Sequence, residues 1–129
     1  MRNMNKYHFT LSIQFDKDYP VSELKNILNL EPTSITPFNQ SLGSKKSAKF
    51  TLTTKTLTNI YTDEIFEKFL LSIKDNLKPL PEILEKNQGY CSFRIVFEEF
   101  DEKPCISLNY ETIKILCDLH ANYDVDFYL

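Results

Sequence analysis

The chain has 129 residues, 42% of them hydrophobic and 13% aromatic (ten Phe, seven Tyr, no Trp), so it is long enough for one core, not two, and too apolar to stay disordered. Fifteen Lys and Arg against eighteen Asp and Glu leave a net charge of −3. That excludes the overall cationic surface with which non-specific nucleic-acid binders displace counterions, and it suits a basic partner better. A single domain over residues 1–129 is expected.

From Tyr7 to Phe15 the sequence alternates strictly, with Tyr7, Phe9, Leu11, Ile13 and Phe15 on one side and His8, Thr10, Ser12 and Gln14 on the other. Successive strand residues project to opposite faces, so this spacing predicts a half-buried strand. Asp16–Pro20 reads as a turn, and Val21–Leu30 as a short helix capped by Ser22, with Leu24, Ile27 and Leu28 at helical spacing. Glu31–Ala48, rich in Pro, Ser, Thr and Asn, reads as a long loop. Lys49–Lys55 alternates again, Phe50 and Leu52 inward against Thr51 and Thr53. Thr62–Leu77 carries one apolar stripe of Ile65, Phe66, Phe69, Leu70, Ile73 and Leu77, the signature of an amphipathic helix, and Pro79 and Pro81 end it. Glu82–Lys86 adds a helical turn, and Asn87–Gly89 leads out of it.

Tyr90–Glu99 is a long strand with Cys91, Phe93, Ile95 and Phe97 on the buried side and Tyr90, Ser92, Arg94, Val96 and Glu98 on the reverse. After a turn over Asp101–Pro104, Asn109 caps a helix that runs to Leu119 with Ile113, Leu116 and Cys117 as its stripe. Tyr123–Leu129 closes the chain as a strand, Tyr123, Val125 and Phe127 inward and Asp124, Asp126 and Tyr128 outward. The order is β-α-β, a connecting helix, then β-α-β. A parallel sheet sandwiched by two helical layers would show near-continuous apolar strands, whereas these four alternate. The expected fold is therefore α+β: a four-stranded, mostly antiparallel or mixed sheet with helices on one face, of ferredoxin-like type.

Cys91, Cys105 and Cys117 are odd in number and show no CxxC pair, the pattern of free thiols in a reducing compartment. The polar opening Met1–Lys6 and the absence of a long apolar run predict neither a signal peptide nor a membrane span, so a cytoplasmic protein is expected.

Three stretches, Leu28-Asn-Leu-Glu-Pro-Thr33, Lys49-Phe-Thr-Leu-Thr53 and the closing Ile106-Ser-Leu-Asn-Tyr-Glu111 with Leu119 and Tyr123-Asp-Val-Asp-Phe-Tyr128, resemble in order and spacing a bacterial family catalogued as domain of unknown function 4279. The resemblance covers Tyr7 to Tyr128, and the closing segment is its most specific part. Phe50 stands where the family usually carries Trp and keeps an aromatic there; His120 stands where Gly is frequent, and His tolerates left-handed backbone angles. The resemblance transfers no catalytic residue. What it implies is a small cytoplasmic partner of the kind found in bacterial toxin–immunity neighbourhoods.

A zinc site from Cys117 and His120 with Cys91 or Cys105 lacks the closely spaced ligand pairs that zinc favours, and buried structural thiols are the simpler reading, so no metal or other cofactor is expected. His8 and His120 sit far apart in sequence, with no Gly-x-Ser-x-Gly elbow and no HExxH. Gly43-Ser-Lys-Lys-Ser47 lacks the first glycine of a phosphate loop and reads as solvated lysines. No catalytic residue is assigned. Asp124 and Asp126 share one strand face and suit a cation, acid–base work or plain solvation; the Glu98–Glu102 run reads as a solvated strand end that also suits a basic partner.

Together His8, Thr10, Ser12, Gln14, Thr51, Thr53, Ser92, Arg94, Asp124, Asp126 and Tyr128 should share the non-core face, and from these His8, Ser12, Arg94, Asp124, Asp126 and Tyr128 are the candidate binding residues. RNA-binding sheets present several stacking aromatics, and here only Tyr90 and Tyr128 qualify, so neither nucleic acid nor membrane is an expected partner. The expected function is non-enzymatic: a protein-binding module, of immunity type, that occludes another protein such as a toxin through this face or the 32–49 loop. A small-molecule sensor or enzyme on the same face, and a dimerising structural module, are the alternatives.

Overall fold

The computed structural model describes residues 4–41, 43, 46–101, 104 and 106–128. Leu42, Ser44, Lys45, Glu102, Lys103, Cys105, Leu129 and the first three residues lie outside the described residues, and with them the middle of the 43–47 lysine loop, part of the expected 101–104 turn and the third cysteine.

The alternating stretches form the strands they predict. β1 spans Asn5–Phe15 with every odd position from Tyr7 onward buried. A 3-10 turn at Val21–Glu23 leads into α1, Leu24–Leu28. Ser22 does not cap this helix, and only Leu24 and Leu28 of its expected stripe are buried; Ile27 is exposed. The expected loop from Glu31 to Ala48 contains a short strand, β2 (Ser34–Thr36), and a second 3-10 turn at Phe38–Gln40. β3 (Ala48–Thr53) is followed by β4 (Leu57–Asn59), which the Thr-rich sequence concealed. α2 (Thr62–Ile73), α3 (Leu80–Asn87), β5 (Gly89–Glu99), α4 (Tyr110–Asp118) and β6 (Asn122–Phe127) complete the chain.

The result is a mixed α+β fold whose six-stranded sheet has the order β2-β3-β1-β5-β6, with β4 also paired to β1. Every pairing is antiparallel except β5 with β6, which α4 joins as a parallel crossover. This corrects the four-stranded ferredoxin-like expectation. That topology interleaves its two β-α-β units, whereas here β3 folds back directly beside β1, and β6 lies next to β5. Between β1 and β3 the chain forms only the five-residue α1 and two 3-10 turns and lays down β2 at the sheet edge, so no long crossover helix separates the two strands as it would in a β-α-β unit.

All four helices bury their apolar residues against the same side of the sheet, in one core centred on Tyr7, Phe9, Phe66, Phe93 and Phe97. On α4 the stripe is rotated from expectation: Thr112, Ile115, Leu116 and Leu119 are buried, while Ile113 and Cys117 are exposed. The run Ile113, Ile115, Leu116, Cys117, Leu119 permits two phases of a 3.6-residue period, and only packing selects one. Asn109 caps α4 as expected, its side-chain oxygen accepting the Thr112 N–H at 2.9 Å while its amide donates to Glu67 on α2. Asn109→Ala should cost about 1 kcal/mol of unfolding free energy in urea melts; a change under about 0.3 kcal/mol would show the cap to be idle.

Asn29, Gln88 and His120 each end a helix with positive φ, between 51° and 52°. At His120 the N–H donates to Cys117 C=O and that of Ala121 to Leu116 C=O, a Schellman closure formed without glycine. Among the described residues no helix is long and apolar enough to cross a membrane.

Candidate functional site

Register across the sheet decides which polar side chains meet, because residues paired on neighbouring strands point to the same face. Ser34 of β2 pairs with Thr51 of β3, Thr51 with Ser12 of β1, Ser12 with Ser92 of β5, and Ser92 with Asn122 of β6. Five short polar side chains thus line a row that crosses five strands, about 19 Å at the usual strand spacing. The row on one side of it runs Thr53, Thr10, Arg94, Asp124; beyond that lie His8, Val96 and Asp126. On its other side run Thr36, Lys49, Gln14 and Tyr90. Arg94 on one flank and Lys49, Gln14 and Tyr90 on the other are longer than the side chains they adjoin in the central row, so the row around Ser12 lies low between them as a shallow trough. Among the described residues the buried apolar side chains of α1 to α4 all belong to the core cluster on the opposite side, and no helix packs on this face.

The structure therefore brings together five of the six candidate residues, His8, Ser12, Arg94, Asp124 and Asp126, and places exposed Tyr128 one residue beyond β6 in the same alternation. Arg94 Nη1 lies 3.8 Å from Asp126 and Nη2 4.0 Å from Asp124, all three half-exposed, so one guanidinium serves two carboxylates across the β5–β6 pair. Val96, read as polar-side, is buried although it faces this side, flanked by His8 and Asp126 on the neighbouring strands.

Glu98, which the alternation put on this face, and Thr56, which it did not single out, complete the corner around His8. Between the pairs Thr10–Thr53 and Tyr7–Leu57, two residues of β1 face three, Thr54 to Thr56, which is a bulge. Phe9 N–H donates to Thr54 Oγ1, and Thr54 N–H donates to Phe9 C=O, pinning it. On the other flank the register shifts between Tyr7–Phe97 and Lys6–Glu99, leaving Glu98 as an extra residue of β5. The two irregularities turn Thr56 and Glu98 toward each other over β1: Glu98 Oε2 accepts from Thr56 Oγ1 at 2.9 Å and lies 2.8 Å from His8 Nδ1. Bulges are not written in hydropathy, so only the pairing reveals this cluster.

The His8 hydrogen bond, and after it the Thr56 hydroxyl, hold the Glu98 carboxyl below the ordinary carboxylate range. With the folded value depressed, the carboxylate's contribution to stability is present above the unfolded value of about 4.3 and is lost as pH falls through the folded one. A side-chain carbon NMR titration should give Glu98 a midpoint below about 4.3, and His8→Ala should move it upward; an unshifted midpoint in both proteins would refute the contact.

The chemistry available elsewhere is limited. Burial pushes the Cys91 thiol up to about 11, and its Sγ donates to Leu119 C=O at 3.8 Å, so it is a protonated core group and no nucleophile. Cys117, expected in the core, is exposed. Among the described residues no three His, Cys, Asp or Glu side chains converge in a metal-binding group. Burial, and then Asp63, push Tyr123 up to about 12. Four cavities of about 190 to 330 Å³, lined mainly by helix and loop residues, include none of the sheet-face candidates in their lining.

The model of the family described as Domain of unknown function (DUF4279) matches residues 5–129. No curated protein and no solved structure matches the chain.

Proposed function

The chain belongs to the DUF4279 family, and from the geometry of its open sheet face we propose that it is a non-enzymatic protein-binding module that occludes a partner protein, as a cytoplasmic immunity-type protein would. The observation that carries this reading is the row Ser34, Thr51, Ser12, Ser92, Asn122, which crosses five strands with no helix over it among the described residues. Short hydroxyl side chains lose little rotamer entropy on burial and hydrogen-bond adaptably, so such a floor accepts a protein segment at low cost. Its rims supply Arg94, Asp124, Asp126 and Tyr128 on one side and Lys49, Gln14 and Tyr90 on the other, giving charge and aromatic contacts for specificity.

The test is affinity capture from the native cell with the wild-type chain beside Ser12→Arg, which places a long cation in the middle of the floor. Wild type should recover one stoichiometric partner, and the variant, folded by circular dichroism, should lose it at least tenfold. Recovery of nothing reproducible by wild type, or equal recovery by both, rejects the trough as the docking surface.

One observation favours the second reading, a small-molecule site or enzyme. His8, held through Nδ1 by Glu98 and partly exposed, lies on the open face one row beyond Arg94. A ligand bound there would shift the His8 and Arg94 side-chain resonances together in a metabolite screen, and His8→Gln would abolish both shifts.

A further inference from the structure

The two edges of the sheet are not equivalent. β2 is three residues long and sits between Pro32 and Pro37, the usual means of blunting an edge. β6 offers six residues with no proline and no lysine, and no strand pairs with its outer side among the described residues. Tyr128 N–H donates to Phe97 C=O at 3.0 Å. Strand alternation then turns the N–H and C=O of Asp124 and Asp126 toward β5 and those of Tyr123 and Val125 outward. On the helical side of this edge Tyr123 and Val125 are only partly buried; on the open side Asp124 and Asp126 are exposed and, among the described residues, pair with Arg94 alone, so two carboxylates there share one cation.

We propose that β6 is a strand-addition edge whose occupant is an extended partner segment alternating basic and apolar residues. Backbone hydrogen bonds to Tyr123 and Val125 would supply register, as in other β-augmentation complexes. Lysine or arginine side chains of the added strand would lie beside Asp124 and Asp126, and its apolar residues would cover the exposed flanks of Tyr123 and Val125. A second copy of the chain is the poorer occupant, because antiparallel β6–β6 pairing sets these aspartates against each other, and like charges directly opposite are destabilising. The proposal rests on the protein-binding reading and names the partner's chemistry at the edge of the same face.

The experiment titrates the whole chain with a capped heptapeptide of alternating lysine and valine, and with its glutamate–valine counterpart, following amide resonances and hydrogen exchange. The basic peptide should bind at least tenfold more tightly and slow exchange at Tyr123 and Val125. Val125→Pro removes an outward N–H while leaving the β5 ladder intact, and should weaken binding at least tenfold. The double change Asp124→Lys, Asp126→Lys leaves the backbone free and should reverse the preference between the peptides. Binding indifferent to both variants, protection away from β6, or concentration-dependent dimerisation through this edge in sedimentation would each overturn the proposal. The trough reading has its own readout: a native partner captured equally by wild type and Val125→Pro but lost with Ser12→Arg sinks the edge alone.

Discussion

Phe66→Ala is expected to lower the unfolding free energy by about 3–5 kcal/mol, the range for removing a fully buried aromatic ring. Phe66 has no solvent exposure, and it is where the first and last strands meet the same helix. Its ring lies 5.1 Å from Phe9 of β1, 6.4 Å from Phe93 of β5 and 5.8 Å from Tyr123 of β6. Truncation removes three tilted or edge-on ring contacts and leaves a void that strands held by their ladders cannot close. A domain of this size has about 5–15 kcal/mol to lose, so the variant should stand near the edge of folding. Leu71→Ala, on the exposed face of the same helix, is the control and should shift the urea midpoint by little. A Phe66→Ala loss below about 1.5 kcal/mol would mean that α2 does not seat on the sheet in this way.

Gly89→Ala should cost about 2–3 kcal/mol, against the sign expected for most such changes in a strand. Gly89 opens β5 opposite Phe15, and a Cβ there would overlap Cε1 and Cδ1 of the Phe15 ring and come within 2.9 Å of Leu84 Cδ2. Phe15 cannot swing aside, being fully buried and stacked on Tyr19 at 4.0 Å. The cost is steric, since Gly89 is not among the positive-φ residues. Combining Gly89→Ala with Phe15→Leu should therefore recover part of the loss, a coupling that chemical denaturation of the four proteins of the cycle measures. Strict additivity would show that the ring is not the obstacle.

Much of this architecture was legible in the sequence because burial writes a period. Tyr7 to Phe15 carries period two without a break, Cys91 to Phe97 carries it with Val96 as the one interruption, and Thr62 to Ile73 carries 3.6, so strands and helix appear where the pattern puts them. Short edge elements carry no period. Ser34–Thr36 and Leu57–Asn59 are three residues each, and their neighbours are prolines and threonines that read as loop. Strand order was not legible because alternation states which face a residue takes, not which strand lies beside it. For the same reason the sheet face could be listed from the sequence, but the His8–Glu98–Thr56 corner could not. It arises from two register irregularities, and a single skipped pairing changes which side chains meet.

The three left-handed helix ends give the protein unused latitude. A left-handed angle costs an L residue about 1–2 kcal/mol, of which glycine would return part after its larger chain entropy. Asn29, Gln88 and His120 follow three different helices, so relief at one does not alter the others. A lineage under pressure to reshape the open sheet face thus has three helix ends at which glycine offsets the damage, each outside the strands whose side chains would change.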